Sequence, residues 1–265
     1  MRIKNKIYLL FFILALTIIG AVTVANTSGL IKWWNKQPEP ETTVEADQKP
    51  DPVQLEMMNE LLAWLKPFDT TNISYYLDGV LTAVDKTDSA NAMMNVPYTI
   101  CKNGRQFYSR IGQSETMNTD QQYLFIDHAA KKMLTGHARK VVQAPGMPIN
   151  ELYKFIAGEG YVFSKTISNN RYATISVQNP NHISYKEFAV QYDIVSKQVK
   201  KFFIRQAEVT DPMNADKEKW ITLVIKEYND DPAPAKFPDL QKFIQNRHNE
   251  WAPAPGFQEY ELINQ

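Results

Sequence analysis

The sequence is poor in residues that form covalent and metal cross-links. It has one cysteine, Cys101, and four histidines among 265 residues. A single cysteine excludes a disulfide within the chain and a cysteine-rich zinc or iron–sulfur site. A bacterial lipoprotein would carry a cysteine directly after its signal segment, and none lies there. Cys101 ends an apolar run just before Asn103-Gly104, which predicts a small buried side chain rather than a nucleophile.

The body of the chain also lacks an excess of charge of one sign. Residues 1–34 carry four basic and no acidic side chains, whereas residues 35–52 carry two basic and five acidic ones. Since the whole chain is neutral, the remainder has a net charge of −1. Nucleic-acid binding depends on clustered lysine and arginine that face phosphates. We therefore expect no nucleic-acid partner.

The sequence also lacks the residue spacings that are typical of catalytic or metal sites. No His-x-His or His-Glu-x-x-His pattern occurs among His128, His137, His182 and His248. Gly158-Glu159-Gly160 follows a predicted helix rather than a strand, so it is not a dinucleotide-binding loop. We predict no catalytic residue, no metal ligand, no cofactor and no enzymatic activity. A hydrolase whose residues converge only in the fold is the lesser alternative.

One long hydrophobic run lies near the N-terminus. Residues 7–25 contain no charged side chain, which predicts a transmembrane helix. Arg2, Lys4 and Lys6 precede it, so residues 1–6 are predicted to be a cytoplasmic N-terminus. The expected localisation is the bacterial inner membrane, with a single anchor and a periplasmic C-terminal domain. A cleaved signal peptide ending near Ala25 is the alternative.

The segment after this run is rich in proline and glutamate. Residues 26–52 contain few large apolar side chains and are predicted to be an extended tether. Residues 53–265 then form the predicted folded domain. Asp51 and Pro52 suit the start of a helix, and Gln54 completes a capping box. The helix stripe Leu55, Met58, Leu62 and Leu65 is predicted to be core.

From residue 72 onward the apolar pattern repeats every second residue, which is typical of strands. Asn103-Gly104 and Ser168-Asn169-Asn170 predict hairpin turns, and Gly79 and Lys186-Glu187 predict bulges. Short helices are expected from Pro148 to Gly158 and from Asp239 to Arg247. The predicted class is α+β: after the transmembrane helix, a bent, mostly antiparallel, hairpin-built sheet resembling a half-barrel, with a few short helices.

The adjacent pair Asp127-His128 raises the question of an active site. QYLFIDHAAKK (122–132) recurs as QYDIVSKQVKK (191–201), with Gln-Tyr at the start and Lys-Lys eight residues after the tyrosine. In both, a strand, a polar turn and a second strand follow one another. Asp127 is explained by hydrogen bonds to its own turn, and His128 then needs no chemical role.

The order of elements resembles the LolA/LolB-type lipoprotein-carrier fold. The resemblance is carried by LEMMNELLAWL, YYLDGVLTAVD, RQFYSRIG and YLFIDHAAKKML, within about residues 60–135. It implies a leading helix, a bent antiparallel sheet and an apolar face that receives acyl chains. The many aromatic strand residues either fill that face as core or line a pocket.

Two binding functions follow from these observations. The first is a non-enzymatic docking domain that binds a protein partner in a cell-envelope assembly, such as a secretion or transport apparatus. The second is a lipid- or lipoprotein-handling domain with an apolar chamber. An exposed apolar patch or sheet edge would favour the first, and an open apolar cavity would favour the second.

Overall fold

The computed structural model describes residues 51–68, 74–138, 156, 159–208, 210–229, 236–247 and 250–265. The predicted cytoplasmic segment 1–6, the anchor 7–25, nearly all of the tether 26–52 and most of the helix 148–158 lie outside these residues.

Helix α1 opens the described chain and spans Pro52–Leu65. Asp51 caps it by accepting a hydrogen bond from the Val53 N–H at 2.9 Å, as predicted. The capping box is wrong, because the Gln54 carboxamide bonds instead to the backbone of Phe163. A 3-10 turn, Lys66–Phe68, follows the helix.

Fourteen strands follow in the described residues. They are β1 (Ser74–Asp85), β2 (Met93–Asn103), β3 (Gln106–Ile111), β4 (Ser114–Asn118), β5 (Gln122–Asp127), β6 (Lys132–His137), β7 (Val162–Ser168), β8 (Tyr172–Gln178), β9 (Tyr185–Asp193), β10 (Gln198–Gln206), β11 (Lys219–Asn229), β12 (Ile244–Arg247), β13 (Glu250–Pro253) and β14 (Glu261–Asn264).

Twelve of these strands form one sheet in the order β14-β6-β5-β4-β3-β2-β1-β11-β10-β9-β8-β7. Neighbouring strands pair antiparallel, except that β14 pairs parallel with β6. Pairing of β1 with β11 joins an early half, β1–β6, to a late half, β7–β11. Strands β12 and β13 form a separate hairpin.

The two faces of the sheet are covered by different parts of the chain. On one face, which we term the helix face, α1 buries Met58, Leu61 and Leu65 against β1, β2 and β7–β11. On the opposite face, which we term the tail face, residues 236–247 and 250–265 pack against β2–β6 around Phe243 and Ile244. Each strand contributes to both faces because successive side chains alternate.

The turn and bulge predictions are confirmed where the chain is described. Asn103 pairs with Gln106 across the turn, and Gly104 has a positive φ of 59°. The β1–β11 register shifts between Asp78 and Gly79. A Cβ atom on Gly79 would lie 2.3 Å from the Val224 carbonyl oxygen, so only glycine fits this position.

The similar segments 122–132 and 191–201 both fold as β-hairpins. The β5–β6 and β9–β10 loops each hold four residues, after Asp127 and Asp193 respectively. Each aspartate accepts backbone hydrogen bonds from residues two and three further on. Lys131 and Lys197 both adopt positive φ at the end of the loop. The equivalent residues are therefore the aspartates, and the alignment on the tyrosines is wrong.

The predicted α+β class is wrong. Helix α1, with 14 residues, is the one α-helix that the structure describes along its length, and almost all the remaining regular structure in the described residues is strand. Between β1 and β6, and again between β7 and β10, short turns and loops connect the strands in the described residues, so the sheet grows to twelve strands. The predicted helix Asp239–Arg247 is also wrong: a 3-10 turn, Leu240–Lys242, leads directly into β12.

The predicted localisation must be corrected as well. In the part of the chain that the structure describes, no helix combines the length and the apolar character needed to cross a membrane. A single-pass inner-membrane protein with a periplasmic domain is therefore not supported.

Candidate functional site

A cleft of about 350 Å³ opens on the helix face of the early half, beyond the reach of α1. Apolar side chains form most of its wall, and hydroxyl groups and one β-turn form the rest. Its lining residues are Met93, Val96, Pro97, Ser109, Arg110, Ile111, Gly112, Gln113, Ser114, Thr116 and Phe125.

The register of the strands explains why a depression forms there. Ser109 of β3 lies opposite Thr116 of β4, and Thr116 lies opposite Phe125 of β5. The same row continues to Ile100 of β2, which is buried against the helix-face core. Two small side chains thus lie side by side between larger ones, and they leave unfilled space above them.

The β3–β4 turn closes one end of the cleft. Gly112 has a φ of 57°, a conformation that favours glycine. Its N–H donates to the Pro97 carbonyl oxygen at 2.9 Å, which ties the turn to β2. The methyl groups of Val96 lie directly beside it. The rim is therefore held in place by backbone geometry.

The charge of the one ionisable lining residue is directed away from the cleft. Arg110 is preceded by Ser109, which faces the cleft, so its own side chain points to the tail face. There its Nε atom lies 3.8 Å from Glu115 Oε1. The cleft wall therefore offers apolar surface, hydroxyls and an amide, a composition suited to an uncharged ligand.

A chain of polar side chains lies beneath the cleft, on the tail face of the same strands. The Tyr108 hydroxyl donates to Glu115 Oε2 at 2.8 Å. His128 Nε2 lies 2.8 Å from Glu115 Oε1, and His128 Nδ1 lies 2.8 Å from the Tyr260 hydroxyl. Burial and the neighbouring Glu115 carboxylate raise the pKa of Tyr108 far above its ordinary value, so Tyr108 stays a donor.

This polar chain connects the sheet to the C-terminal segment. Tyr260 directly precedes β14, whose residues pair with β6. Phe257 packs against the rings of both His128 and Tyr260. We name the group of Tyr108, Glu115, His128 and Tyr260 the tail clasp. Its geometry accounts for attachment of the tail, and no serine, threonine or cysteine side chain takes part in the contacts described for it.

The sequence interpretation of Asp127-His128 was therefore right for one residue and incomplete for the other. Asp127 Oδ1 accepts from the Ala129 and Ala130 N–H groups at 2.9 and 3.0 Å, so its turn role is confirmed. His128 has partners 13 and 132 residues away. No local spacing indicates either partner, and both contacts appear only in the folded structure, one to β4 and one to the tail.

The other candidate residues are dispersed. Cys101 is buried at the tail face, where burial raises the pKa of its thiol to about 11. His182 Nε2 lies 3.1 Å from Glu159 Oε2, in the late half. His137 ends β6, and His248 lies outside the described residues. Within the described ranges, no three His, Cys, Asp or Glu side chains gather as a metal site.

Comparison with known proteins gives no family. No family model matches the chain, and no curated protein matches it. It is similar to a solved structure described as an uncharacterized conserved protein from Thermus thermophilus, with a TM-score of 0.35 and 5% identity, over 80% of this chain and 98% of that chain. It is also similar to a DUF1329 family protein from Desulfovibrio piger, with a TM-score of 0.24 and 8% identity, over 70% and 97%.

TM-scores this low carry no conclusion about function. Of the features implied by the LolA/LolB resemblance, the antiparallel sheet and the leading helix are present.

Proposed function

We propose that this protein is a non-enzymatic binding protein whose helix-face cleft accepts an apolar group, such as part of an acyl chain. The observation that carries the proposal is the cleft itself. Its volume of about 350 Å³ lies at the lower end of the range for ligand pockets.

The lining supports binding rather than chemistry. Apolar side chains such as Val96, Ile111 and Phe125 would remove alkyl surface from water. The hydroxyls of Ser109 and Thr116 are neutral and would hydrogen-bond to an ester or amide of a ligand. The Glu115 carboxylate lies on the opposite face and is already bound by Tyr108 and His128. Asp127, opposite Ser114 at the end of β5, is bound by the N–H groups of its own turn.

The test is a fluorescence titration of the full-length protein with the uncharged methyl ester of dansyl-labelled undecanoic acid. Thr116→Leu places a larger side chain in the middle of the cleft, and we expect it to weaken binding at least about tenfold. Thr222→Leu makes the same chemical change on β11, on the opposite face of the sheet, and should leave binding unchanged. Equal affinity of wild type and Thr116→Leu would show that the ligand does not bind in the cleft.

Docking of a protein partner is the second candidate function. The observation that favours it is the exposed edge of strand β7, which is independent of the cleft.

A further inference from the structure

The two edges of the large sheet differ in how they are protected. At one edge, β14 has only four residues, and exposed ion pairs join it and the preceding turn to the β5–β6 hairpin. Lys131 pairs with Glu259 at 2.5 Å and Lys132 with Glu261 at 3.1 Å. Short length and charged side chains are the usual protection of an edge against further pairing.

At the other edge, β7 has seven residues, and six of them are exposed. Val162 and Ile167 each leave 61% of their surface exposed. The charges near β7 are paired, because Lys165 Nζ lies 2.7 Å from Glu60 Oε2 and Arg171 Nε lies 2.9 Å from Asp193 Oδ2. The edge is therefore long, carries an exposed apolar side chain near each end, and has no net charge within the described residues.

One side chain shows how this edge binds backbone-like groups. Gln54 donates from Nε2 to the Phe163 carbonyl oxygen at 3.1 Å and accepts the Phe163 N–H on Oε1 at 2.7 Å. These are the two hydrogen bonds that a residue of a neighbouring strand would make. The Phe163 peptide groups therefore face outward, away from β8.

The direction of the other peptide groups follows from the strand period. The β7–β8 register runs without a shift from Val162 to Ser168. Peptide groups of alternate residues point to the same side of a strand. The N–H and C=O groups of Lys165 and Ile167 therefore also face outward. They follow Phe163, the position on the edge that Gln54 occupies.

We propose that the β7 edge between Ser164 and Ser168 binds a short, uncharged, extended segment of a partner protein as a thirteenth strand. Such β-augmentation takes its affinity from main-chain hydrogen bonds and its specificity from alternate side chains. The absence of net charge along the edge suits an uncharged segment. The proposal does not depend on the function of the cleft.

The position of Gln54 argues for a free segment rather than a second copy of this chain. A copy of β7 related by a two-fold axis through Thr166 would pair Lys165 with Ile167. It would then place its own Asn169 opposite Phe163, whose peptide groups Gln54 already occupies. A segment of about five residues avoids this overlap.

The experiment is an NMR titration of isotope-labelled full-length protein with the capped peptide acetyl-Thr-Val-Thr-Val-Thr-amide. We expect the amide signals of Lys165 and Ile167 to shift together and to saturate at millimolar peptide. Ile167→Pro removes one outward N–H and keeps the β8 pairing of Thr166 and Ser168. It should weaken binding up to about tenfold, whereas Ile167→Thr, which keeps the N–H, should bind nearly as wild type.

A second variant tests the proposal from the other end of the edge. Gln54→Ala frees the Phe163 peptide groups, so the Phe163 amide should join the shifting signals and binding should tighten severalfold. The proposal is overturned if Lys165 and Ile167 do not shift at millimolar peptide, or if Ile167→Pro binds as tightly as Ile167→Thr. Sedimentation showing a dimer that Ile167→Pro dissociates would overturn it in favour of a second copy.

Discussion

The early and late halves of the sheet are covered in opposite ways. In the late half, α1 crosses the helix face, where Trp64 stacks on Tyr192 and Phe68 meets Phe202. In the early half, residues 236–247 and 250–265 cover the tail face, and the helix face beyond β2 holds the cleft. The comparison teaches that the cleft lies beyond the part of the helix face that α1 covers.

The two covers also differ in chemistry. The α1 contact is centred on Leu61, which has no exposed surface. The tail contact adds a polar chain that is buried at Tyr108 and Glu115, because Glu115 connects Tyr108 to His128 and His128 connects to Tyr260. An apolar contact is non-directional, whereas hydrogen bonds require one relative position of the two segments. The clasp therefore sets the position of the tail more narrowly than apolar packing does.

The largest expected effect comes from removing the centre of the helix cover. Leu61→Ala deletes a fully buried side chain and should lower the free energy of unfolding by about 2–5 kcal/mol. Urea unfolding measures this free energy. Glu56→Ala, an exposed change on the same helix, should stay within about 0.5 kcal/mol. A loss below about 1 kcal/mol for Leu61→Ala would mean that α1 is not an essential cover.

A smaller and more local effect is expected from breaking the tail clasp. Glu115→Ala leaves the buried Tyr108 hydroxyl without its acceptor, which should cost about 1–3 kcal/mol. Hydrogen exchange of the β14 amides should quicken, while that of the late half should not.

The control for this change is Lys132→Ala, which removes only the exposed pair with Glu261 and should cost at most about 1 kcal/mol. Unchanged β14 exchange in Glu115→Ala would show that pairing with β6 alone holds the tail.

The smallest expected effect is a pH dependence of stability that comes from Asp193, in one of the two equivalent hairpins. Hydrogen bonds from the Ser196 N–H and from Arg171 lower the pKa of Asp193 to about 2, from an ordinary 3.8. A lowered pKa stabilises the fold above the unfolded value, and this contribution is lost as the pH falls from about 4 towards 2.

Thermal unfolding between pH 5 and pH 2 measures this contribution. Wild type should lose more stability over that range than Asp193→Asn does. Asp127→Asn is the matched change at the other hairpin, where no arginine pairs with the aspartate in the contacts described. Identical pH profiles for wild type and Asp193→Asn would contradict the role of Asp193.

Local features of the fold could be predicted because their causes are local. The Asn103-Gly104 turn, the Gly79 bulge and the Asp51 cap each depend on the conformational preference of one or two residues. The tail helix was predicted wrongly because its apolar spacing suited a helix, whereas pairing with residues 250–253 stabilises a strand. The role of Gln54 was missed because its partner is 109 residues away.

By itself, the sequence determined the strands of period two, their turns, the leading helix, and the lack of clustered charge and of metal-ligand spacings. Tertiary structure decided that the strands join into one sheet of twelve, which half each cover protects, and where Ser109 and Thr116 align to open a cleft. It also decided that His128 meets Glu115 and Tyr260. The reason is physical: alternation is encoded in neighbouring residues, whereas register and long-range contacts arise only when distant strands pack.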